Sequence, residues 1–174
     1  RRSWNAGLRE HFRELEEKWN RTHPPLAVVH LPANLPAGLE PPDLATLGLT
    51  VECLRILETK RPNLLVIGSP TTVAPVVQII ERSLIRPVVS CRAGRLALQR
   101  SAIGTLVIHD ADRLGREEQN QLHSWVNQHA EKQLVTTASE SLFSLVARNM
   151  FSDTLFCRLN AMSLIVEEAS AEIV

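Results

Sequence analysis

Residues 63–77 read NLLVIGSPTTVAPVV, an apolar run that ends in a polar turn at Gly68 and continues as a helix-like stretch. The runs RPVVSC (86–91) and GTLVIH (104–109) are also apolar throughout rather than alternating. Strands have this composition when both faces of a parallel sheet are covered. Because such runs alternate with helical patterns along the chain, we predict an α/β domain of three layers with a mostly parallel sheet.

The boundaries of the predicted elements follow the apolar patterns and the glycines and prolines between them. Two sets of elements are predicted in the main part of the chain. The helices span 44–59, 73–84, 115–130 and 140–147, and the strands span 63–67, 86–90, 104–109, 133–137 and the run MSLIVEE at 162–168.

The N-terminal part is predicted to precede this domain as a segment of residues 1–42. An amphipathic helix is predicted over 3–20, with large apolar side chains three or four residues apart. These side chains are Trp4, Leu8, Phe12, Leu15 and Trp19. A strand PPLAVVHL (24–31) and a proline-rich connector follow, and the main domain is predicted at 43–174. The apolar stripe of the helix either packs on the body of the protein or is offered to a protein partner, and both interpretations stay open here.

Composition and charge argue against several classes of function. The 174 residues include 19 Lys and Arg and 19 Asp and Glu, so no net field favours nucleic acid or anionic lipid. No apolar run reaches the roughly 18 residues that a membrane-spanning helix needs. The three cysteines are far apart and form no CxxC pair. We therefore expect a cytoplasmic protein without membrane contact and without direct nucleic-acid binding, and the start at Arg1 rather than Met indicates an excised fragment.

The turn after the first core strand has the layout of a phosphate-binding loop but not its chemistry. Such a loop follows the pattern G-x-x-x-x-G-K-[ST], in which backbone N–H groups and the lysine neutralise the phosphates. Gly68 matches the first glycine and Thr71 and Thr72 follow, but Val73 stands at the second glycine and Ala74 at the lysine. We expect a strand-to-helix turn with a Ser or Thr cap, no ATP and no other cofactor; weak anion binding is the alternative.

Three segments resemble the AAA+ domain of the bacterial enhancer-binding proteins, which are sigma-54-dependent transcription activators. These segments are GTLVIHDADRLGREEQNQLHSWV (104–126), QLVTTASESL (133–142) and FSDTLFCRLN (151–160). Together with the degenerate loop, the similarity extends over about residues 47–166. It implies a P-loop NTPase-like AAA+ core whose five parallel strands have the order 5-1-4-3-2. It also places Gln119 and Leu122 at family positions in the helix after the strand.

The resemblance further implies which residues stand at the ATPase positions. The family's Asp-Glu pair, which manages magnesium and the attacking water, is matched by His109 and Asp110, or by Asp110 and Ala111 in a frame shifted by one. The sensor asparagine is matched by Ser139, and of two arginine fingers only Arg158 remains. The sigma-contacting loop and the helical lid have no counterpart. We therefore expect no catalytic residue and a pseudo-ATPase.

Three functional hypotheses follow. The first is a non-catalytic protein-protein interaction or regulatory module in bacterial transcription regulation or signalling, which binds a protein partner or self-associates. The second is an atypical nucleotide-binding protein with weak or no ATP hydrolysis, which would use Asp110, Ser139 and Arg158. The third is one piece of a larger transcription regulator. A metal site at His109, Asp110 and Asp112 is not expected, because adjacent strand residues point to opposite faces.

Overall fold

The computed structural model of the chain describes residues 2–32, 44–45, 47–98 and 102–168. The described helices are α1 (Arg2–Thr22), α2 (Val51–Thr59), α3 (Pro70–Ile80), α4 (Arg116–Gln128), α5 (Leu142–Ala147) and α6 (Asp153–Leu159). The strands are β1 (Ala27–Leu31), β2 (Leu64–Ile67), β3 (Val88–Arg92), β4 (Thr105–His109), β5 (Gln133–Ala138) and β6 (Met162–Glu168). None of the described helices is both long enough and apolar enough to cross a membrane.

The strands form one parallel sheet with the order β1-β6-β2-β5-β4-β3. The core strands β6-β2-β5-β4-β3 therefore have the predicted order 5-1-4-3-2, and the predicted α/β fold is confirmed. The sheet differs in one respect, because β1 lies beyond β6 and pairs with it from Ala27 opposite Leu164 to Leu31 opposite Glu168. Since all strands are parallel, their carboxyl ends lie at one edge of the sheet, where ligands of open α/β sheets bind.

The hydrophobic core lies on both faces of the sheet, as the uninterrupted apolar runs predict. Within β4, Leu106 and Ile108 belong to the cluster that packs with α4, α5 and α6, whereas Val107 belongs to the cluster that packs with α2 and α3. Every residue of β5 is buried. The two layers of helices therefore hold the turns at the carboxyl edge against a rigid sheet.

The predicted helix 44–59 is not continuous, because residues 44–45 are helical but residues 47–50 are not. Helix α2 begins only at Val51, because Gly48 has a left-handed φ of 94° and interrupts the helical backbone. The Thr50 side chain then caps α2 by accepting the N–H of Cys53 at 3.2 Å. The strand predicted at 86–90 is shifted to Val88–Arg92. The predicted boundary between residues 42 and 43 falls outside the described residues and stays a prediction.

The N-terminal amphipathic helix is confirmed as α1, and its last turn docks on the body. The Trp19 ring lies 5.4 Å from the ring of Phe156 on α6 and 6.1 Å from that of Phe143 on α5, between ring centroids. Leu15, one turn earlier, is 39% exposed. Trp19 therefore packs within the chain, while the stripe opens to solvent at Leu15. The side chains of Trp4, Leu8 and Phe12 lie outside the described residues.

Candidate functional site

The turn between β2 and α3 is shorter than the phosphate-loop pattern G-x-x-x-x-G-K-[ST]. Strand β2 ends at Ile67 and α3 begins at Pro70, so only Gly68 and Ser69 connect them. The Ser69 hydroxyl caps α3 by accepting the N–H of Thr72 at 3.3 Å, which agrees with the predicted Ser or Thr cap. The helix predicted to begin at residue 73 thus begins three residues earlier, and the positions compared with a phosphate loop lie mostly inside its first turns.

Three backbone N–H groups at this turn are bonded within the chain. The Gly68 N–H donates to the carbonyl of Ala138 at 3.0 Å. The N–H groups of Thr72 and Val73 both donate to the carbonyl of Ser69, at 3.0 and 2.9 Å. The proline that opens α3 has no N–H to offer. An anion at this turn would therefore have only the N–H groups of Ser69 and Thr71 to use unless it replaced existing hydrogen bonds.

Gly68 is required by packing against the neighbouring strand. A Cβ atom at this position would lie 2.8 Å from the carbonyl oxygen of Val166 and 3.0 Å from its Cβ. Both distances are shorter than van der Waals contact, and the carbonyl belongs to the backbone of β6. The glycine that resembles the first glycine of a phosphate loop thus lets α3 start close to β6.

The other compared positions have local structural roles. The hydroxyl of Ser69 lies 2.9 Å from that of Thr71 and 3.0 Å from that of Thr72, so the three hydroxyls satisfy one another. Val73 is buried in the core beneath α3, and Ala74 is exposed on the same helix. This turn therefore carries no positive charge where a nucleotide's phosphates would lie.

Asp110, at the carboxyl end of β4, is held by two contacts. Its carboxylate Oδ2 lies 3.4 Å from Nη1 of Arg92, and its N–H donates to the Thr137 hydroxyl at 3.2 Å. Its backbone is left-handed, with φ 59° and ψ 45°. Asp110, which matches one member of the family's Asp-Glu pair in either frame, is thus paired with an arginine of the same chain. Among the described residues, no group of three His, Cys, Asp or Glu side chains could hold a metal ion.

His109, the residue before Asp110, is half-buried and has a lowered pKa. Partial burial is the main cause, and the Arg92 guanidinium adds to it, while the carboxylates of Asp110 and Glu81 oppose the shift. The folded chain therefore holds the imidazole in its neutral form at a pH where an exposed histidine already gains a proton.

This shift predicts a loss of stability in mild acid. The unfolded chain binds the proton more tightly than the folded chain, so the free energy of unfolding should fall as pH drops through about 6.5, the ordinary histidine value. Urea denaturation between neutral and mildly acidic pH should show a smaller fall in His109→Asn than in wild type. In Arg92→Met, an NMR titration should show the His109 pKa moving up. Equal pH dependence in wild type and His109→Asn would contradict the prediction.

Ser139, at the end of β5, is bonded to Asp112 in the turn after β4. Its hydroxyl donates to Asp112 Oδ2 at 2.6 Å, and its N–H donates to Oδ1 at 3.2 Å. The residue at the sensor position is therefore fixed by a carboxylate of the same chain. The sequence alone did not predict this role of Asp112. Asp112 follows β4 and Ser139 follows β5, so no local spacing indicates their contact.

Arg158 lies at the opposite edge of the sheet from Asp110 and Ser139. Its carbonyl accepts the side-chain N–H of Asn63 at 2.9 Å, and Asn63 directly precedes β2 at the amino edge. Asp110 and Ser139 share the carboxyl edge, because β4 and β5 are neighbours. Within one chain, the residues of the nucleotide-binding hypothesis are therefore not brought together.

Two neighbouring residues of α4 have roles that the sequence reasoning did not assign. The Glu118 carboxylate accepts the N–H of Gly94 at 2.7 Å and that of Gly115 at 3.2 Å, and so joins the turn after β3 to the start of α4. A glutamate at the third position of a helix signals the second of these bonds. The buried amide of Gln119 joins α4 to the segment before α6, and its family position is the sequence signal for that role.

Comparisons with known proteins agree with the α/β fold of the chain. The family model described as Sigma-54 interaction domain matches residues 75–168. The chain is similar to a solved structure of NtrX from Brucella abortus in complex with ATP, with 15% identity and a TM-score of 0.53 over 66% of this chain and 33% of that chain. A second NtrX structure from Brucella abortus has 16% identity and a TM-score of 0.49 over 65% of this chain and 34% of that one. A comparison with curated proteins finds no match.

These similarities differ in what they establish. At such low identity, the similarity to NtrX concerns the fold, and this chain spans about a third of the NtrX chain. The family match establishes more than the fold, because it covers more than half of the 174 residues. It includes both β4 and the segment around Arg158. On that basis, the chain belongs to the Sigma-54 interaction domain family.

Proposed function

We propose that the chain is a protein-interaction or regulatory module in bacterial transcription regulation that works without binding or hydrolysing ATP. Family membership supports the regulatory setting. The observation that carries the proposal is the two-residue turn between β2 and α3, in which the N–H groups of Gly68, Thr72 and Val73 are bonded within the chain. A nucleotide would find no loop that surrounds its phosphates, and few of the backbone donors at this turn would be available to it.

The charges around the carboxyl edge support the same proposal. Phosphoryl transfer depends on a lysine, a metal ion and an arginine that neutralise the charge developing on the phosphate. The lysine position holds Ala74, and the carboxylate of Asp110 is paired with Arg92. Ser139 is bonded to Asp112. At the carboxyl edge, the lysine position is thus uncharged, and the side chains of Asp110 and Ser139 are bonded to neighbours.

The alternative, an atypical nucleotide-binding protein, requires more rearrangement. Asp110 would have to leave Arg92, and Ser139 would have to leave Asp112. Arg158 would have to come from a second copy of the chain, because its own backbone lies at the amino edge. Hydrogen bonds to charged groups are worth roughly 1.5–3 kcal/mol, so breaking the Ser139 contact alone weakens nucleotide binding about tenfold or more.

Titration with nucleotide tests the proposal. With ATP or ADP and Mg²⁺, we expect no heat of binding in calorimetry and no change in melting temperature. A site with nucleotide at about a hundred times its Kd would raise the unfolding free energy by about 2.7 kcal/mol, which corresponds to a rise of roughly 5–10 °C for a chain of this size. NtrX from Brucella abortus, which was solved with ATP, serves as the positive control. Micromolar uptake by this chain would contradict the proposal and favour the alternative.

A single-residue variant distinguishes two reasons why the chain would not bind a nucleotide: the changed side chains and the short turn before α3. If only the side chains had changed, Ala74→Lys would return part of the missing charge and some affinity. Because Ala74 lies within α3 and the turn before it has two residues, we expect Ala74→Lys to bind ATP no better than wild type. Ala74 is exposed, so the substitution should leave the fold intact.

A further inference from the structure

In its described residues, the crossover between β3 and β4 lacks the helix that usually fills such a connection. Parallel neighbouring strands are generally joined by a helix that packs on the face of the sheet. Here the described residues of the connection, 93–98 and 102–104, contain a turn and an isolated bridge between Arg92 and Arg95, but no helix. A groove of about 950 Å³ lies between this connection and α4.

The floor of this groove, named here the α4 groove, is apolar. Leu96, Leu98 and Ile103 line it from the connection, and Trp125 lines it from α4. Trp125 and Ile103 are 6% and 4% exposed, so they form a firm base. A helix about 10 Å wide rises 1.5 Å per residue, so the volume of the groove corresponds to roughly two helical turns.

The walls of the α4 groove have a one-sided charge. The polar residues that line it on α4 are the neutral Gln121, Ser124 and Gln128. Lys132 supplies a positive charge just beyond the carboxyl end of the helix, and no carboxylate is among the described residues that line the groove. The nearby Glu118 carboxylate is bonded to two backbone N–H groups.

We propose that the α4 groove binds an amphipathic helix of a protein partner, with apolar residues facing Trp125 and acidic residues at its flanks. The size and apolar floor match one face of a helix, as in other helix-in-groove complexes. The single-sign charge favours acidic flanks. One lysine over an apolar floor does not supply the set of phosphate contacts on which nucleic-acid binding depends. This inference rests on the proposed interaction function and names the chemistry of its partner.

The test uses two designed peptides with the intact chain. Both peptides carry leucines at i, i+3, i+4 and i+7, and their other positions are mainly Glu in one and mainly Lys in the other. Fluorescence anisotropy of the labelled peptides should show that the Glu peptide binds more tightly, by about twofold to fivefold, as expected from one partly exposed charge pair with Lys132.

Matched variants locate the binding. Gln128→Glu should weaken the Glu peptide by a few-fold, because Gln128 lines the groove. Gln78→Glu makes the same change on an exposed residue of α3, on the other face of the sheet, and should have no effect. Lys132→Arg should keep the preference for the Glu peptide. Melting curves of the variants should match wild type, since Gln128 and Gln78 are exposed.

Several results would overturn the inference. They are absence of binding, equal binding of the two peptides, equal effects of Gln128→Glu and Gln78→Glu, and displacement of the Glu peptide by duplex DNA. A change of sedimentation mass in Gln128→Glu would also overturn it, because the groove would then hold a second copy of the chain. None of these results depends on nucleotide. The ATP titration therefore decides the proposed function, and the peptide experiment decides its partner.

Discussion

Substitution of Gly68 by alanine should lower the free energy of unfolding by about 2 kcal/mol, within the range for overpacking at a close contact. The added methyl group would lie 2.8 Å from the carbonyl oxygen of Val166. That oxygen belongs to β6, which is paired on both sides, so the backbone cannot move away without disturbing two strand pairs. Gly68→Val should be more damaging, because it adds two further methyl groups at the same place.

Urea denaturation measures this loss, and Gly7→Ala is the matched control. No atom lies within 4 Å of a Cβ built at Gly7 on α1, so alanine there should leave stability unchanged or raise it by about 0.5–1 kcal/mol. If Gly68→Ala proved as stable as wild type, the close contact with β6 would not be the reason for glycine at this turn. The phosphate-loop interpretation of Gly68 would then regain support.

Substitution of Gln119 by alanine should cost about 2–3 kcal/mol. Its side-chain amide donates to the carbonyls of Leu114 and Met150, at 2.9 and 3.0 Å, and its oxygen accepts the N–H of Ser152 at 2.9 Å. Gln119 is 6% exposed, so alanine would leave these backbone groups short of partners in a largely buried place. The loss should also loosen the start of α6, whose cap is Ser152.

Two readouts distinguish this role from a general loss of packing. Denaturation gives the change in stability, and hydrogen exchange should show faster exchange around residues 150–155 than in the sheet. Gln121→Ala is the control, because Gln121 is exposed and its side chain donates to the Glu117 carboxylate at 3.3 Å on the same helix. Its effect should stay within about 0.5 kcal/mol. A similar cost for both variants would contradict the proposed bridging role of Gln119.

Much of the fold could be predicted from local sequence. The apolar runs identify the core strands, because a strand covered on both faces has no reason to alternate. The strand order came from the resemblance, since apolar runs alone do not specify which strands are neighbours. The start of α3 was misplaced although Ser69 followed by Pro70 is a strong signal for a helix start. The prediction placed the turn up to residue 72, where a phosphate loop would lie, whereas α3 begins at Pro70.

The site was predictable only in part, because its contacts join residues that are distant in the chain. The sequence does show that Ala74 stands where the phosphate-loop pattern has a lysine. The pairing of Asp110 with Arg92 and of Ser139 with Asp112 depends on which strand ends are adjacent. The position of Arg158 at the amino edge depends on how α6 returns to β6. Such contacts depend on the tertiary structure, and the spacing of residues in the sequence does not predict them.

The position of β1 has a consequence for the solution behaviour of the protein. Without it, β6 would present a row of unpaired backbone groups, and such a border readily recruits strands from other molecules. The pairing of β1 with β6 covers that border and makes β1 the edge strand, where the N–H of His30 donates to the carbonyl of Leu47 at 2.9 Å. We therefore expect versions shortened past Leu31 to expose the β6 border and to aggregate more readily.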